Sequence, residues 1–229
     1  MGRRVSGGGQ FVLDFPHRPA FAEGDYLVGE SNIEAISWID KWPDWPAPAL
    51  AVYGPSGCGK THLGHIWRAR SNAILLNVAD IPTASPPELL GEAVNCIVDN
   101  AYAYVNAEAM LHLFNHISEL GGKLLILGRI APARWALSLA DLSSRLNAVP
   151  AIEIKKPDDQ LLRALLGKLF QDRQLKVNED VLDYLLPRME RSFDAARNIV
   201  ETSDRIGLSQ GKGITVPLAR VVLERLDAN

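Results

Sequence analysis

The chain has 229 residues, of which 47% are hydrophobic, and a formal net charge of −3 with a pI near 6.0. This length suits one α/β domain with a small appendage, and the apolar content is enough for a core without disulfides or metals. The slightly negative net charge argues against a protein that binds duplex DNA by itself, because such proteins usually carry a strong excess of basic residues.

Two cysteines, Cys58 and Cys96, fall at positions that we expect to be buried or to face a nucleotide. This usage indicates a reducing compartment and argues against a disulfide. The sequence has no apolar run of membrane-spanning length and does not open with a signal peptide. We therefore expect a soluble cytoplasmic protein.

Residues 1–22 are predicted to form a flexible N-terminal arm. Residues 1–9 contain two arginines and three consecutive glycines without apolar periodicity. Residues 10–15 differ, because large apolar side chains follow a glutamine before Pro16 stops any helix. Two interpretations remain open for this segment: a strand that docks on the domain, or a peptide motif that inserts into a partner's pocket. The candidate contact residues are Gln10, Phe11, Leu13 and Phe15.

Residues 31–42 are predicted to form the first helix. Ser31 would cap its N-terminus, and Glu34, three residues later, would complete a capping box. A proline-containing loop follows the helix. The apolar face would carry Ile33, Ile36 and Ile39.

Residues 54–61 are the most informative stretch, because they read G-P-S-G-C-G-K-T and match the phosphate-binding loop G-x-x-x-x-G-K-T. Glycines let the backbone wrap a phosphate with its N–H groups pointing inward. Lys60 would supply charge to the β- and γ-phosphates, and the Thr61 hydroxyl would ligate Mg²⁺. An apolar strand at 49–53 precedes the loop and a helix at 61–70 follows it, as this motif requires. The sequence therefore predicts a nucleoside triphosphate site.

Strands alternate with helices as far as residue 154, and only helices follow. This alternation is typical of a parallel sheet with right-handed crossovers. We therefore expect an α/β base at 23–156 and a small helical lid at 157–229. Further strands are predicted at 73–78, 95–99, 123–127 and 151–154, and helices at 110–120, 158–171, 178–189, 192–207 and 217–226.

An apolar strand that ends in Asp99 has the pattern of a Walker B element. Asp99 would orient Mg²⁺ together with Thr61. Many such ATPases follow this aspartate with a glutamate that polarises the attacking water, but here the next residue is Asn100. Because an amide cannot accept a proton as a general base, the chain is expected to bind nucleotide and to hydrolyse it poorly.

Two arginines, Arg145 and Arg197, are candidates for contact with phosphate, although the commonest position of an arginine is a solvated surface. Arg197, in the predicted lid, could fold back on the β- and γ-phosphates. Arg145, just before the last strand, could reach the γ-phosphate of a neighbouring molecule. An arginine finger of that kind raises the rate of hydrolysis by roughly three to five orders of magnitude.

These elements, in this order, resemble the AAA+ family and, within it, the DnaA group of bacterial replication initiators. Residues 24–32 resemble the segment that holds adenine, 124–134 and 139–146 resemble sensor 1 and the arginine-finger box, and 187–197 resemble the sensor 2 region. The resemblance covers about residues 10–226. It implies an α/β AAA+ base with a phosphate-binding loop and a parallel sheet, followed by a helical lid.

Two features narrow the resemblance to the Hda group, the DnaA-related regulatory inactivators. After Leu226 we expect no room for the initiator's C-terminal helix-turn-helix domain. Residues 10–15 resemble the short motif that docks on the replicative sliding clamp, with Phe11 where leucine is common. The sensor 1 position carries Leu127 where threonine or serine is usual, which weakens the expectation of self-hydrolysis further.

The resemblance also implies ligands, partners and roles. The partners would be DnaA and the DNA polymerase III sliding clamp (its beta subunit), with DNA contacted mainly through them and self-association left open. ADP or ATP would bind with Mg²⁺, held by Thr61 and Asp99. Arg145 would be the arginine finger that acts on ATP held by DnaA. Asp99 and Asn100 would be the catalytic residues of the chain's own, weakly active site. Nucleotide contacts would come from Tyr26, Leu27, Val28, Pro55, Ser56, Gly57, Cys58, Gly59, Lys60, Thr61, His62 and Arg197.

Two other functions are alternatives to this one. An ATP-driven loader or motor that acts on nucleic acid would need a Walker B glutamate and a basic surface. Asn100 and the formal net charge of −3 therefore argue against it. A small-molecule kinase would have a substrate lid and no intersubunit arginine. The Ser-Ser-Arg-Leu sequence around Arg145 and the helical lid count against that kinase.

Overall fold

A five-stranded parallel sheet forms the centre of the structure, a computed structural model that describes residues 26–101, 106–210 and 214–227, the side chains of 208–210 aside. The strands are β1 (Ala49–Tyr53), β2 (Ile74–Asn77), β3 (Cys96–Ala101), β4 (Leu124–Gly128) and β5 (Ala151–Glu153). They lie in the order β2–β3–β4–β1–β5, so the strand that precedes the phosphate-binding loop lies between β4 and β5.

The register of the strands brings the ends of β1, β3 and β4 to one edge of the sheet. Tyr53, the last residue of β1, pairs with Gly128 at the end of β4. β3 also pairs with β2, where Asn77 lies opposite Asp99. Because carboxyl ends of parallel strands form the usual ligand crevice of open α/β sheets, this edge is where a site is expected.

Helices cover both faces of the sheet, because alternate residues of its buried strands point in opposite directions. In the base these helices are α1 (Ile33–Asp40), α2 (Lys60–Ser71), α3 (Pro86–Leu90), α4 (Ala107–Glu119) and α5 (Ala140–Asn147). Ala49 and Ala51 of β1 belong to the core beneath α4 and α5, whereas Leu50 and Val52 belong to the core beneath α1 and α2.

A separate helical region follows the sheet and has its own apolar core. Its helices are α6 (Asp159–Asp172), α7 (Glu179–Leu185), α8 (Phe193–Gln210) and α9 (Val216–Asp227). The Asp158 side chain caps α6 by accepting a hydrogen bond from the Leu161 backbone N–H at 2.7 Å. The core of this region includes the fully buried Phe170 and Val222, and Leu27 from the start of the described chain packs against it.

The structure corrects the predicted start of the first helix. Asn32, and not Ser31, occupies the N-cap position of α1. Ser31 is buried, and its hydroxyl has no hydrogen-bond partner in the described part of the chain. Ile33 is 46% exposed, so the buried face of the helix uses Ile36 and Ile39 without it. The capping box was therefore wrong, because the chain folds back here and Asn32 accepts a hydrogen bond from the Gly29 backbone N–H.

The other predicted strands and helices are confirmed, with differences at their ends, of which the largest is in α7, predicted to reach residue 189 but ending at Leu185. The short helices α3 and α5 were not predicted. The arm at 1–22, with its candidate contact residues Gln10, Phe11, Leu13 and Phe15, lies outside the described residues. Within the described ranges, no helix is both long enough and apolar enough to cross a membrane.

Candidate nucleotide-binding site

A cleft of about 680 Å³ lies at the carboxyl ends of the strands, between the sheet and the helical region. Its walls come from the phosphate-binding loop, the ends of β2, β3 and β4, and the start of α8. The lining residues are Ser56, Gly57, Gly59, Lys60, Thr61, His62, Asn77, Asp99, Asn100, Leu127, Gly128, Arg129, Phe193, Asp194 and Arg197.

The phosphate-binding loop depends on glycine at two places. Gly54 closely approaches the residue that follows β5, and a Cβ there would lie 2.1 Å from the Ile154 carbonyl oxygen. Gly57 has a φ of +67°, and a Cβ there would lie 2.9 Å from a carboxylate oxygen of Asp194. The Phe193 backbone N–H also donates to the Gly57 carbonyl at 2.7 Å, so the loop contacts the start of α8 directly. A side chain at either position would clash with these neighbouring atoms, so the loop conformation requires glycine there.

Lys60 stands at the first position of α2 and is held by the loop itself. Its Nζ donates to the carbonyl oxygens of Gly54 at 2.8 Å and Pro55 at 2.7 Å, and lies 3.5 Å from the Cys58 sulfur. Burial raises the pKa of the Cys58 thiol, although the neighbouring Lys60 ammonium opposes that effect. The loop therefore carries a fixed cation beside a neutral, buried thiol.

Thr61 and Asp99 meet at the floor of the cleft, although 38 positions separate them in the sequence. The Thr61 hydroxyl donates to a carboxylate oxygen of Asp99 at 2.9 Å. A hydroxyl and a carboxylate are the oxygen ligands that Mg²⁺ takes beside nucleotide phosphates. Together with the glycine cradle above them, these two residues fit a magnesium nucleotide.

Asn100 occupies an unusual backbone position at the end of β3. Its φ is +57°, and its backbone N–H donates to the other carboxylate oxygen of Asp99 at 2.7 Å. The pairing of β3 with β4 is irregular at this point, between Val98 and Ala101. Asparagine tolerates the left-handed region better than most residues, so the local backbone suits the residue that replaces the usual glutamate.

Leu127 lies one position before the end of β4 and is fully buried, although it borders the cleft. An alkyl side chain offers no hydrogen bond to a water molecule. Asn100 supplies an amide where a general base would be needed. Among the described residues that line this part of the cleft, no carboxylate other than Asp99 comes from the sheet.

The helical region contributes Arg197 to the cleft. Its Nη2 lies 3.2 Å from His62 Nδ1, and its Nη1 lies 3.8 Å from a carboxylate oxygen of Asp194. The His62 ring packs against the Tyr26 ring with centroids 5.2 Å apart. Burial raises the pKa of the Tyr26 hydroxyl, so this tyrosine stays neutral at physiological pH. Arg197 thus joins the lid to the helix that follows the phosphate-binding loop.

The predicted nucleotide contacts divide into two groups. Ser56, Gly57, Gly59, Lys60, Thr61, His62 and Arg197 line the cleft together. Five others do not line it, namely Tyr26, Leu27, Val28, Pro55 and Cys58. Leu27 packs on the lid core, and Tyr26 and Val28 pack on the core beneath α1 and α2. The predicted adenine segment therefore lies at the junction of lid and base.

Arg145 lies on α5, outside the cleft. Its Nε is 3.1 Å from a carboxylate oxygen of Asp141, one helical turn earlier, and the two side chains are 41% and 55% exposed. The structure thus separates this arginine from the chain's own phosphate-binding loop, in contrast to Arg197.

Sequence reasoning missed five residues that line the cleft: Asn77, Gly128, Arg129, Phe193 and Asp194. Asn77 and Gly128 reach it because each ends a strand whose neighbours carry the predicted residues. Asp194 had a signal in the sequence, since it lies three residues before Arg197 on a predicted helix and would share its face.

Comparisons with known proteins agree with this architecture. The structure superposes on domain III of the replication initiation protein DnaA from Thermotoga maritima with a TM-score of 0.74 and 16% identity, covering 91% of this chain and 97% of that one. It superposes on AMPPCP-bound DnaA from Aquifex aeolicus with a TM-score of 0.68 and 17% identity, covering 85% and 67%. For a DNA replication initiation factor the TM-score is 0.68 and the identity 17%, covering 82% of this chain and 66% of that chain, which is just under two thirds of its length.

The parallel sheet, the phosphate-binding loop at its carboxyl edge and the helical lid define an AAA+ P-loop fold. Residues 158–223, which span α6 to α8 and most of α9, match the family described as the Hda lid domain. The helical region is therefore similar to the Hda lid domain, and the fold as a whole is similar to that of DnaA domain III.

Proposed function

We propose that this chain is an adenine-nucleotide-binding regulator of replication initiation, which stimulates ATP hydrolysis by DnaA and so limits initiation. The match of residues 158–223 to the Hda lid domain carries this proposal. The base to which that lid is attached has the fold of DnaA domain III, so regulator and target would be built alike and could form a site between them.

Nucleotide binding is supported by the geometry of the cleft. Lys60, Thr61 and Asp99 converge there, and the cleft is bordered by a glycine loop and by Arg197 from the lid. One similar structure contains DnaA with AMPPCP, a nonhydrolysable ATP analogue. In this chain the Lys60 ammonium would neutralise phosphate charge, and Thr61 and Asp99 would hold Mg²⁺. The residues of the chain would bind and orient the nucleotide, and the ion would supply positive charge beside its phosphates.

Weak hydrolysis by this chain alone is supported by two side chains in the same cleft. Asn100 cannot take a proton from water, and the buried Leu127 cannot orient a water molecule by hydrogen bonding. ATP or ADP would then serve to hold base and lid together, because Arg197 and the start of α8 reach the cleft from the lid.

Action on a second molecule is supported by the position of Arg145. It is exposed on α5 and lies outside the chain's own cleft, with one neighbouring carboxylate. A guanidinium that enters the active site of another ATPase stabilises the charge on the transferring phosphoryl group. We infer that the ATP in question is bound to DnaA, and that residues 10–15 hold the regulator on the sliding clamp.

The experiment is to measure ATP hydrolysis by purified DnaA, with and without this chain and with and without clamp loaded on DNA. We expect stimulation only when chain and clamp are both present. Replacing Gln10, Leu13 and Phe15 by alanine should abolish clamp binding and stimulation but leave nucleotide binding intact. Hydrolysis by this chain itself, raised by DNA without DnaA, would instead identify an ATP-driven loader or motor.

A further inference from the structure

Two histidines lie on one face of α4, outside the nucleotide cleft. His112 and His116 are four residues apart on this helix, so their side chains are neighbours on the same face. Both residues line a groove of about 520 Å³ between α4 and the segment at 81–87. Neither imidazole ring has a hydrogen bond, ion pair or ring contact with any residue that the structure describes. Both rings are therefore available to a ligand.

The helix that carries the pair is held in place at its start and along its opposite face. The Asn106 side chain caps α4 by accepting a hydrogen bond from the Ala109 backbone N–H at 3.0 Å. On the opposite face, Met110 and Ile117 are fully buried in the core of the base. The two histidines are thus presented side by side by a fixed helix, and a ligand that binds both needs to order only their side chains.

The charges around the pair favour a cation. Glu108 precedes His112 by four residues and Glu119 follows His116 by three, so exposed carboxylates flank the histidines on the same face. Helix α4 contains no lysine or arginine. The facing wall of the groove carries no charged side chain among its described residues, which are Ile81, Pro82, Ala84, Ser85, Pro86 and Pro87. A cation beside the two neutral imidazoles would therefore meet no basic side chain from either wall.

Two imidazoles one helical turn apart can bind the same metal ion. This is the spacing of the two histidine ligands in helical zinc sites. Imidazole nitrogen suits Zn²⁺, Ni²⁺ and Cu²⁺, whereas Mg²⁺ takes oxygen ligands. The pair on α4 would therefore select a different class of ion from the one expected between Thr61 and Asp99 in the cleft.

We propose that His112 and His116 chelate one divalent transition-metal ion, of the class that prefers imidazole nitrogen, in the groove beside α4. Within the described ranges, no group of three or more His, Cys, Asp or Glu side chains is placed to hold a metal ion. Water would therefore complete the coordination of an ion held by the two histidines. The groove shares no lining residue with the nucleotide cleft, so this site does not depend on nucleotide binding.

The test is a calorimetric titration of the full chain, without an affinity tag, with Zn²⁺ in excess Mg²⁺. The Mg²⁺ occupies oxygen ligands such as those of the cleft and does not compete for imidazole. We expect one Zn²⁺ per chain at this site. His112→Ala or His116→Ala should weaken its binding on the order of a hundredfold, because the second, intramolecular contact of the chelate is lost.

The matched control is His65→Ala, because His65 is likewise exposed on a helix, α2, and does not line the groove. Its affinity for Zn²⁺ should equal that of the parent. Zn²⁺ should raise the melting temperature of the parent and of this control, EDTA should reverse the rise, and His112→Ala should not respond.

The melting temperature without metal separates chelation from a structural role. We expect the parent and His112→Ala to melt together when no metal is present. A parent that binds Zn²⁺ no more tightly than the two alanine variants would overturn the proposal. Loss of binding together with a lower melting temperature without metal in both variants would assign the histidines a structural role instead. One ion for every two chains, with a doubled mass in solution, would place the metal between two copies and overturn the single-chain site.

Discussion

In the cleft, the important side chains are held by partners from the same chain, whereas Arg145 on α5 is paired, among the described residues, with one exposed carboxylate. Thr61 donates to Asp99 at 2.9 Å, and Lys60 donates to two loop carbonyls. Arg145 is paired with Asp141 at 3.1 Å on the helix surface. Surface pairs one helical turn apart contribute only about 0.3–0.5 kcal/mol, so Arg145 can leave its partner at little cost.

This difference is expected if the cleft is a site complete within the chain and if Arg145 acts, as proposed, only on another molecule. A preorganised cleft favours tight binding, because its groups need little ordering when the ligand arrives. An exposed arginine on a helix suits insertion into a neighbour's site. Substitutions in the cleft should therefore have large effects on this chain's own ligand, and substitutions around Arg145 should have none.

The largest effect in the cleft is expected from Lys60→Ala. It removes the main cation of the phosphate-binding loop, and nucleotide affinity should fall on the order of a hundredfold. Nucleotide should raise the melting temperature of the parent but not that of the variant. The control is Lys176→Ala, since Lys176 is exposed and lies away from the cleft. A parent whose melting temperature responds to neither ATP nor ADP would falsify the assignment of the phosphate-binding loop.

A smaller loss is expected from Asp99→Asn. The amide keeps the shape of the side chain and an oxygen near Thr61, but it removes the negative charge that favours Mg²⁺. ATP affinity measured with Mg²⁺ should fall about tenfold. Titrations in EDTA should give the same affinity for variant and parent, and an equal loss with and without Mg²⁺ would argue against a metal ligand at this position.

A still smaller change is expected when a carboxylate is added by Asn100→Glu. General bases contribute roughly two to four orders of magnitude where they are properly placed. The left-handed backbone at Asn100 and the apolar Leu127 both oppose that placement. Single-turnover ATP hydrolysis by the purified chain should therefore rise less than about tenfold. A hundredfold rise would show that one side chain alone accounts for the weak hydrolysis that we propose for this chain.

The smallest effect is expected from Asp141→Ala, which removes the carboxylate beside Arg145. Because that pair is exposed and weak, stimulation of DnaA should change less than about twofold, and folding should be unaffected. The comparison with Asp99→Asn is direct, since each variant alters the carboxylate next to a side chain with a proposed role. A tenfold loss of stimulation would mean that Asp141 positions the finger, which the exposed geometry does not suggest.

The central part of the fold could be predicted from the sequence because its signals are local. Apolar runs bounded by glycine and proline marked the strands, and residues 54–61 marked the site. The capping prediction failed at Ser31, where tertiary packing buries the side chain that the local pattern assigns to the cap.

The rest of the cleft required knowledge of the sheet order. The sequence carries no local signal that the backbones of Gly54 and Gly128 are hydrogen-bonded. The two residues come together only because β1 and β4 are neighbours in the folded sheet. Arg129 therefore looked like a loop residue, although it enters the site. Asp194 was missed for a similar reason, since its approach to Gly57 depends on how the lid docks.

The measurement that tests the central claim most directly is ATP hydrolysis by DnaA in the presence of DNA-loaded clamp and either the parent chain or Arg145→Ala. The account predicts that the variant loses stimulation by about a thousandfold, or to the unstimulated rate if that is reached first, because the transition-state charge is left uncompensated. Arg145→Lys should restore little, since it lacks the planar guanidinium.

The matched control for that measurement is Arg205→Ala, because Arg205 is likewise exposed and paired with a carboxylate one helical turn away, on α8. It should stimulate DnaA as the parent does, and all variants should retain nucleotide and clamp binding. Full stimulation by Arg145→Ala would contradict the account, because the finger would then lie elsewhere or the chain would act by another mechanism.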